Sequence, residues 1–477
     1  MAPNIHDAVV LGSGPNGLAA AITIAQAGRS VLLVESKATL GGGSRSAALT
    51  LKGFTHDVCS AVHPLAISSP FFKTLPLKSY GLEWIEPPIQ IAHPFEDGGL
   101  AILLRSVDET ARELGEDQKA YSRLFGPLAR SGNTLLEDIL NSLPVPRHPI
   151  LMMRFAHRAV QSAASIVDTH FTTREARALL TGLAAHSGLE LNEAGSFATA
   201  LVLTIAGHGL GWPIPRGGAQ KITDALAAHY SALGGEVLLN YPVHDCSELP
   251  PARAYLFDLS PAELIRIGGD RLPQDYRHQL EQIRLGPGIF KMDWALSGPI
   301  PWKAPECSRA GTVHLGGSME DIVRAEREVW RGIHPNRPFI LLSQPTLFDE
   351  TRAPRGKHIA WAYCHVPRGS SINMTEKLEA QIERFAPGFR DLILARNVSL
   401  PLDLQRYNPN YTGGDITGGV LDLRQMLFRP VRRLCPYSIP GKNWYLCSAS
   451  TPPGPGVHGM CGYNAAKRYL LQPISFN

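Results

Sequence analysis

The opening of the chain places short apolar runs around one helical stretch. Asp7–Leu11 is a short run containing β-branched residues, which is typical of a buried parallel strand. Helical spacing of apolar residues then runs from about Leu18 to Ala27, and Gly28 is a suitable residue to end that helix. Ser30–Glu35 is a second apolar run. Together these segments predict one βαβ unit.

The turn between the first strand and the helix is rich in glycine. Gly12 permits a tight turn, Gly14 lets the backbone approach a pyrophosphate, and Gly17 allows close packing of helix on strand. Glu35 ends the second strand, where a carboxylate can accept both ribose hydroxyls of an adenosine and would repel a 2′-phosphate. The unit therefore predicts dinucleotide binding and argues against NADP, but by itself it does not separate FAD from NAD.

The spacing of apolar residues changes after the first βαβ unit. From about residue 80 to 210 helical spacing dominates, broken by proline-rich joints such as Leu143–Pro146. A second αβ block and further strands follow before the C-terminus. The predicted elements after residue 210 are a helix at about 220–233, strands at 236–239 and 254–258, strands at 290–296 and 359–366, a helix at 374–385, a strand at 443–447 and a helix to about Leu471.

Composition excludes several classes of protein. The 477 residues carry 46 Lys and Arg against 42 Asp and Glu, and this net charge of +4, without an aromatic-interleaved basic stripe, argues against a nucleic-acid partner. The seven cysteines are scattered, with no CxxC pair, which predicts reduced thiols, excludes disulfide reductase chemistry and indicates no metal site. No apolar run is long enough to span a bilayer and no leader is apparent, so we expect a cytoplasmic protein.

Four further motifs extend the signal of the first unit. They are Gly41–Gly43, Gly53–Asp57, Pro215–Gly218 and the stretch Thr451–Ala466, which contains a Pro-Gly-Val-His-Gly turn before a helix. With these motifs the chain resembles the FAD-dependent oxidoreductases that include bacterial-type phytoene desaturases, retinol saturases and amine oxidases. Within that superfamily it is most similar to the phytoene-desaturase-like pyridine-nucleotide-disulphide-oxidoreductase-domain proteins.

The resemblance implies an α/β fold built from a discontinuous Rossmann-type FAD-binding domain with an inserted α+β substrate domain. That FAD-binding domain is glutathione-reductase-like, of the amine oxidase and phytoene desaturase type. The implied boundaries are 1–79, 215–288 and 425–477 for the FAD-binding domain, 80–214 for a mainly helical part of the substrate domain, and 289–424 for its mixed sheet.

The resemblance also implies which residues hold FAD. In these families an Arg usually follows the Gly-Gly pair directly, whereas here Gly43 stands there and Arg45 comes two residues later. The amides of Val457, Gly459 and Met460 are expected to donate to the flavin edge that becomes anionic on reduction. The implied cofactor-binding residues are Gly12, Gly14, Pro15, Asn16, Gly17, Glu35, Ser36, Gly42, Gly43, Arg45, Val243, Gly456, Val457, His458, Gly459 and Met460.

Few catalytic side chains are needed, because a flavin accepts the hydride itself. Imidazole exchanges protons near neutral pH, which makes His56, His63 and His458 candidates, with the competing interpretation that each is a hydrogen-bonded structural residue. His208 favours the structural interpretation. Trp212 is a candidate to cover the substrate face of the flavin, or else a core tryptophan.

These features favour an FAD-dependent oxidoreductase that transfers hydride between flavin N5 and a C–C bond of a hydrophobic, isoprenoid or polyene substrate, with oxygen or a quinone as electron acceptor. Desaturation, saturation and isomerisation all stay open. An amine oxidase is an alternative, although Trp444 and Tyr445 do not establish the aromatic cage and lysine of that chemistry. A flavoprotein acting only as a binding or assembly factor is another.

Two stretches of the chain carry basic residues and no acidic ones. Residues 143–167 combine Arg and His with apolar residues, which is typical either of a helix resting on a membrane surface or of a cap helix with a basic face. Residues 423–477 carry seven Lys and Arg, a charge that we expect beside an anionic cofactor. The oligomeric state is left open by the sequence.

Overall fold

Two sheets organise the protein, whose computed structural model describes residues 5–141 and 145–472. We call the first the nucleotide-binding sheet, after the dinucleotide-binding unit that the sequence predicts there. Its strands, in spatial order, are Ser438–Ile439, Trp444–Leu446, Tyr255–Phe257, Ala8–Leu11, Val31–Val34 and Glu236–Leu238. All neighbours pair in parallel except the first two. The sheet thus takes strands from three separate stretches of the chain, as the Rossmann-type prediction requires.

The first helix of this layer packs against the last. It spans Pro15–Gln26, so it begins three residues before the first apolar position at Leu18, because proline suits the first turn of a helix. A Cβ added at Gly17 would lie 1.9 Å from the carbonyl oxygen of Gly12, and one at Gly462 would lie 1.7 Å from that of Asn16. Both glycines are therefore required for close approach of backbone to backbone.

The second sheet has seven strands. Its strands, in spatial order, are Ile393–Ser399, Gly288–Leu296, His358–Val366, Ile340–Ser343, Ala310–Leu315, Ile89–Pro94 and Leu100–Leu103. The hairpin of Ile89–Pro94 and Leu100–Leu103 adds two strands to a stretch that the sequence predicts to be mainly helical. Ile89–Pro94 is buried at every residue, so it lacks the alternation that reveals a half-exposed strand.

A helical layer covers one face of the seven-stranded sheet. Its helices are Val107–Glu113, Gln118–Arg130, Gly132–Asn141, Pro149–Ala159, Ala163–His170, Arg174–Ala185 and Phe197–Gly209. They pack into a common apolar core with strands of the sheet. Leu143 and Pro144 of the predicted proline-rich joint lie outside the described residues.

The other helices connect or cover the sheets. They are Pro64–Ser68, Pro70–Lys73, Gln220–Ala232, Pro261–Gly268, Gln274–Glu281, Met319–Trp330, Thr375–Phe385, Pro401–Tyr407, Leu423–Leu427 and Met460–Leu470. Two short strand pairs, Ser46–Ala47 with His56–Asp57 and Trp84–Ile85 with Ile214–Pro215, complete the fold. Among the described residues, no helix combines the length and apolar character needed to cross a bilayer.

Candidate cofactor and substrate cavity

A cavity of about 1610 Å³ lies where the nucleotide-binding sheet, the seven-stranded sheet and the helical layer meet. One end is lined by the glycine-rich turn and Glu35. The other end, which we call the apolar chamber, is lined by apolar side chains, most of them from the helical layer. The chamber residues are Leu140, Met152, Phe155, Ala159, Ala198, Val202, Leu203, Leu341 and Met426. The cavity therefore joins the glycine-rich turn, where the sequence predicts a dinucleotide, to an apolar space.

Glu35 is held firmly at the nucleotide end. Its carboxylate accepts hydrogen bonds from the Ser13 N–H at 3.1 Å and the Lys37 N–H at 2.9 Å, and it contacts the Ser13 hydroxyl. The Ser36 hydroxyl lies 3.2 Å from its other oxygen. Because backbone groups hold the carboxylate, hydroxyls of a ribose can exchange with the two serine hydroxyls without moving it.

Arg45 lines the cavity beside Glu35. Its Nη2 lies 3.3 Å from Glu35 Oε1, and it donates to the carbonyl oxygens of Thr39, Leu40 and Gly42. The positive charge of Arg45 is thus fixed next to the Glu35 carboxylate, and its contact with a diphosphate stays a prediction.

Gly43 stands where the resembled families usually carry an arginine, and its surroundings leave no room for a side chain. A Cβ there would lie 2.1 Å from the Tyr411 hydroxyl oxygen, so no side chain fits while Tyr411 keeps its place. Gly42 is equally confined, since its Cβ would lie 2.9 Å from the Cα of Gly14. An arginine at 43 is therefore sterically excluded, and the nearby positive charge comes from Arg45.

Asp258 was not singled out by sequence reasoning, yet it stands at the centre of the glycine-rich turn. Its Oδ2 accepts from the Gly17 N–H at 3.0 Å, and a Cβ on Gly14 would lie 2.7 Å from the same oxygen. Burial, reinforced by the charge of Glu35, raises the pKa of Asp258 to about 7. An acid directly after a central parallel strand was the signal available, because carboxyl ends of such strands meet at the binding edge.

The C-terminal turn contributes only part of the predicted flavin edge. Gly456, Val457 and His458 line the cavity, whereas Gly459 and Met460 are not among its lining residues. Gly459 has φ +68° and packs against Ala19 of the first helix. The Met460 N–H donates to His458 Nδ1 at 3.0 Å, which corrects the expectation that this amide is free for the flavin.

His458 has both ring nitrogens engaged. Nδ1 accepts from Met460, so the proton resides on Nε2, which lies 3.2 Å from the Gly454 carbonyl oxygen. Burial lowers the pKa of His458 to about 4. In this arrangement the imidazole shapes the turn, and the geometry does not favour the proton-exchange role considered from sequence.

His56 lies behind the cavity wall. Its Nε2 is 2.7 Å from the Thr50 hydroxyl, its Nδ1 is 3.8 Å from Asp293 Oδ1, and it is not a lining residue. Burial, with the positive charge of Lys291 and Arg352, lowers the pKa of His56 to about 3. These contacts favour a structural role.

His63 lines the cavity and differs from the other two histidines. Within the described chain its Nε2 is buried and has no hydrogen-bond partner. Burial lowers the pKa of His63 to about 4, so the ring is neutral at neutral pH. Of the three histidine candidates, His63 alone both lines the cavity and keeps a ring nitrogen unengaged among the described residues.

Trp212 forms part of the cavity wall. Its Nε1–H donates to the Thr312 hydroxyl at 2.9 Å and its backbone N–H to Glu86 at 2.6 Å. The Nε1 bond fixes the orientation of the buried indole, and the choice between a covering role and a core tryptophan stays a prediction. His208 instead bonds the Tyr121 hydroxyl at 2.7 Å and is not among the lining residues, as its structural interpretation predicts.

Most of the predicted cofactor residues line the cavity, and Gly17 does not. Gly17 packs behind the turn, as described above. The predicted residues that line the cavity are Gly12, Gly14, Pro15, Asn16, Glu35, Ser36, Gly42, Gly43, Arg45, Val243, Gly456, Val457 and His458.

The sequence analysis did not predict three residues that line the cavity, Lys291, Trp361 and Tyr363. They lie on two largely buried strands, Gly288–Leu296 and His358–Val366, whose pattern does not show which side chains face the cavity. Lys291 Nζ donates to Asp293 Oδ1 at 2.5 Å and lies 6.0 Å from the centre of the Trp361 ring. Trp361 and Tyr363 stack with their planes 5° apart and their centres 5.9 Å apart. All but Asp293 line the cavity. A buried lysine beside two stacked aromatic rings is thus part of the site.

A buried ion pair supports the wall behind Lys291. Arg352 Nη2 donates to Asp57 Oδ2 at 2.8 Å, and both side chains are fully buried. Burial alone would raise the pKa of Asp57, but Arg352 and the Ala219 N–H outweigh it and hold that pKa below its ordinary value. The pair joins the Gly53–Asp57 motif to the loop that follows the strand Ile340–Ser343.

Known proteins resemble the chain over most of its length. Residues 10–74 match a family model described as an NAD(P)-binding Rossmann-like domain. The chain is 24% identical to mouse pyridine nucleotide-disulfide oxidoreductase domain-containing protein 2, over 97% of the chain and 92% of the relative. It is also 24% identical to the lycopene-forming phytoene desaturase of Pseudescherichia vulneris, over 97% and 98%. The chain is a distant homologue of these proteins.

Solved structures agree with the fold. An oxidoreductase from Methanosarcina mazei superposes with a TM-score of 0.67 at 14% identity, covering 98% of this chain and all of the other. A cofactor-binding redesign of putrescine oxidase gives 0.62 at 16% identity, covering 97% of each chain. These comparisons confirm the resemblance and the fold class predicted from the sequence; at this identity the structural neighbours establish the fold alone.

Proposed function

We propose that the protein binds FAD along the cavity from Glu35 to His458 and transfers hydride between flavin N5 and a C–C bond of a hydrophobic substrate in the apolar chamber. The observation that carries the proposal is the continuity of one cavity from the glycine-rich turn to the apolar chamber. The names of the homologues, which include a phytoene desaturase, support the same chemistry.

Polar atoms left without partners fit such a cofactor. Asn16 Oδ1 and Ser44 Oγ are buried without a hydrogen-bond partner in the described chain, and both residues line the cavity at the glycine-rich turn. Buried polar atoms are costly unless they are paired. A dinucleotide supplies hydroxyl donors for the amide oxygen and phosphate acceptors for the serine, so the donor set matches FAD.

Each remaining group has a defined task. When bound, FAD supplies the hydride acceptor, so the protein needs only to orient a C–H bond and handle one proton. His63 is assigned the proton, since its ring is neutral and one nitrogen is unengaged. Trp212 holds the substrate in place, and the apolar chamber excludes water.

The decisive experiment is flavin extraction followed by anaerobic reduction. We expect one FAD per chain, bleached by polyene or isoprenoid substrates and reoxidised by oxygen or a quinone. His63→Gln should slow the bleaching, whereas the control His208→Gln, outside the cavity, should leave it unchanged in folded protein. A protein that neither contains nor takes up FAD would overturn the proposal. Bound FAD that no substrate class reduces would favour the binding-factor alternative.

Amine oxidation is a second candidate, favoured by Lys291 beside the stacked Trp361 and Tyr363. Trp444 and Tyr445, the aromatic residues considered from sequence, lie on a strand of the nucleotide-binding sheet and are not lining residues. Bleaching by amines but not by polyenes, abolished in Lys291→Met, would reverse the order of the two candidates.

We further propose that the mouth of the cavity rests on an anionic lipid surface. Ile150 and Met153 on the helix Pro149–Ala159, and Leu427 and Leu434 on the later basic stretch, are all exposed. Leu427 and Leu434 also line the cavity, so the two acid-free stretches meet at one opening. Basic and apolar residues together favour a membrane contact. Failure to bind anionic liposomes at low salt would refute this contact.

A further inference from the structure

A pair of hydrogen-bonded histidines, one lining the cavity and one behind it, lies where the helical layer meets the seven-stranded sheet. His186 follows the helix Arg174–Ala185 and lines the cavity, where it is only half-buried. Its Nε2 lies 2.9 Å from Nε2 of His314, which is fully buried on the strand Ala310–Leu315. Neither residue belongs to the nucleotide end of the cavity.

Two facing imidazole nitrogens can bond only if one donates and the other accepts, so the pair has a defined tautomer. Burial lowers the pKa of His186 to about 3 and places the pKa of His314 well below its ordinary range, so both rings are neutral. Each ring therefore carries one proton. The position of the proton on His314 decides what His186 presents to the cavity.

The surroundings of His314 Nδ1 indicate which ring nitrogen of His314 carries the proton. This nitrogen is buried and has no hydrogen-bond partner in the described chain. A Cβ on Gly182 would lie 2.7 Å from it, so a Cα hydrogen of Gly182 points toward the nitrogen. That contact suits a lone pair, whereas an N–H would meet the hydrogen head-on. The proton of His314 therefore resides on Nε2 and is donated to His186.

It follows that His186 carries its own proton on Nδ1. Among the described residues, His186 makes no hydrogen bond besides the one to His314. The half-buried ring of His186 borders a largely apolar space. A ligand that offers an acceptor to its Nδ1–H therefore binds more favourably there than one that offers none. We propose that His186 donates from Nδ1 to a neutral oxygen, a carbonyl or hydroxyl, on the substrate of the apolar chamber, and that His314 is the positioning residue that fixes its tautomer.

The inference rests on the proposed function for the idea of a hydrophobic substrate, and it narrows that class. A purely hydrocarbon chain would leave the His186 donor unpaired in the closed complex. A carboxylate would face a neutral donor that cannot balance its charge on leaving water. A neutral oxygenated isoprenoid satisfies both conditions.

Binding of matched ligands tests the assignment. The probes are a C20 isoprenoid alcohol, its aldehyde, its acid and the hydrocarbon of the same length, titrated into protein as purified. Binding is followed by the tryptophan fluorescence of the protein, to which Trp212 and Trp361 contribute from the cavity wall. We expect the alcohol and aldehyde to bind about tenfold more tightly than the hydrocarbon, the effect of about one hydrogen bond.

Substitutions then locate the donor. His186→Phe should abolish the preference, whereas His186→Asn, whose amide places a donor near the position of Nδ1, should keep most of it. His314→Phe should also reduce the preference although His314 does not line the cavity, an effect that a merely structural role would not produce. The matched control is His278→Phe, a largely exposed histidine outside the cavity.

The outcomes are separable from those of the proposed function. Equal binding of alcohol and hydrocarbon, tighter binding of the acid, or an unchanged preference in folded His186→Phe would each overturn the inference. Protein that holds no FAD but still discriminates these ligands would refute the proposed function and support the inference. Protein that oxidises polyenes without discriminating refutes the inference alone.

Discussion

Replacing Asp258 with asparagine should remove a pH dependence from both stability and FAD affinity. The carboxyl group lies among the glycines of the turn, and its Oδ2 accepts from the Gly17 N–H at 3.0 Å. Asparagine keeps an acceptor oxygen for this N–H but cannot ionise. The substitution therefore separates the charge of Asp258 from its hydrogen bond.

The magnitude follows from proton linkage. The pKa of Asp258 rises from 3.8 to about 7 in the folded protein, so the folded state holds a proton that the unfolded state releases. The stabilisation is complete below pH 3.8 and is lost as the pH rises to 7. At 1.36 kcal/mol per pKa unit the loss amounts to at most about 4 kcal/mol. Above pH 7 the carboxylate also repels a diphosphate, so the apparent Kd for FAD should rise about tenfold per pH unit if only the protonated form binds.

Urea unfolding of apoprotein at pH 5 and pH 8, with FAD titrations from pH 6 to 9, measures both effects. Wild-type protein should lose stability and affinity across these ranges, and Asp258→Asn should be nearly flat. Asp168→Asn, at an exposed ion pair with Arg177, is the control. Equal pH slopes in wild type and Asp258→Asn would refute the reasoning.

Three other substitutions test the framework of the site. Arg352→Met should cost about 3–5 kcal/mol in urea unfolding, because it strands the buried charge of Asp57, and the loss should shrink as acid protonates that carboxyl. Gly459→Ala should cost about 1–3 kcal/mol in the same assay, since φ is +68° and its Cβ would lie 2.9 Å from the first helix. Trp212→Phe should lose about 1 kcal/mol with its bond to Thr312, a loss that a Thr312→Val background should abolish.

Local signals in the sequence identified residues that the fold brings together at one end of the cavity. Glycines and an acid at fixed spacing act within one βαβ unit, and Gly12, Gly14 and Glu35 all line the cavity. Contacts between distant stretches were not predictable in this way. Asp258 and Gly17 are 241 positions apart, and only the pairing of their strands brings them together.

Hydrogen-bond partners were the second feature that the sequence could not predict. The sequence shows that Met460 has an N–H near the expected flavin edge, but not that His458 Nδ1 accepts it. Likewise the buried strand carrying Lys291 gives no sign of which face meets the cavity, because every residue of it is buried. Packing decides both features.

The order of strands in the nucleotide-binding sheet also governs when the protein can mature. Tyr255–Phe257 is held on one side by Ala8–Leu11 and on the other by Trp444–Leu446, and the first helix rests on the last. The strand Ala8–Leu11 is thus separated by more than 400 positions from Trp444–Leu446, and the sheet is complete only when both segments have joined it. Such long-range pairing slows folding, because distant segments must meet before their contacts stabilise them. A substitution near residue 446 is therefore expected to disturb the packing around Gly12, because the strands that carry these two segments flank the same central strand.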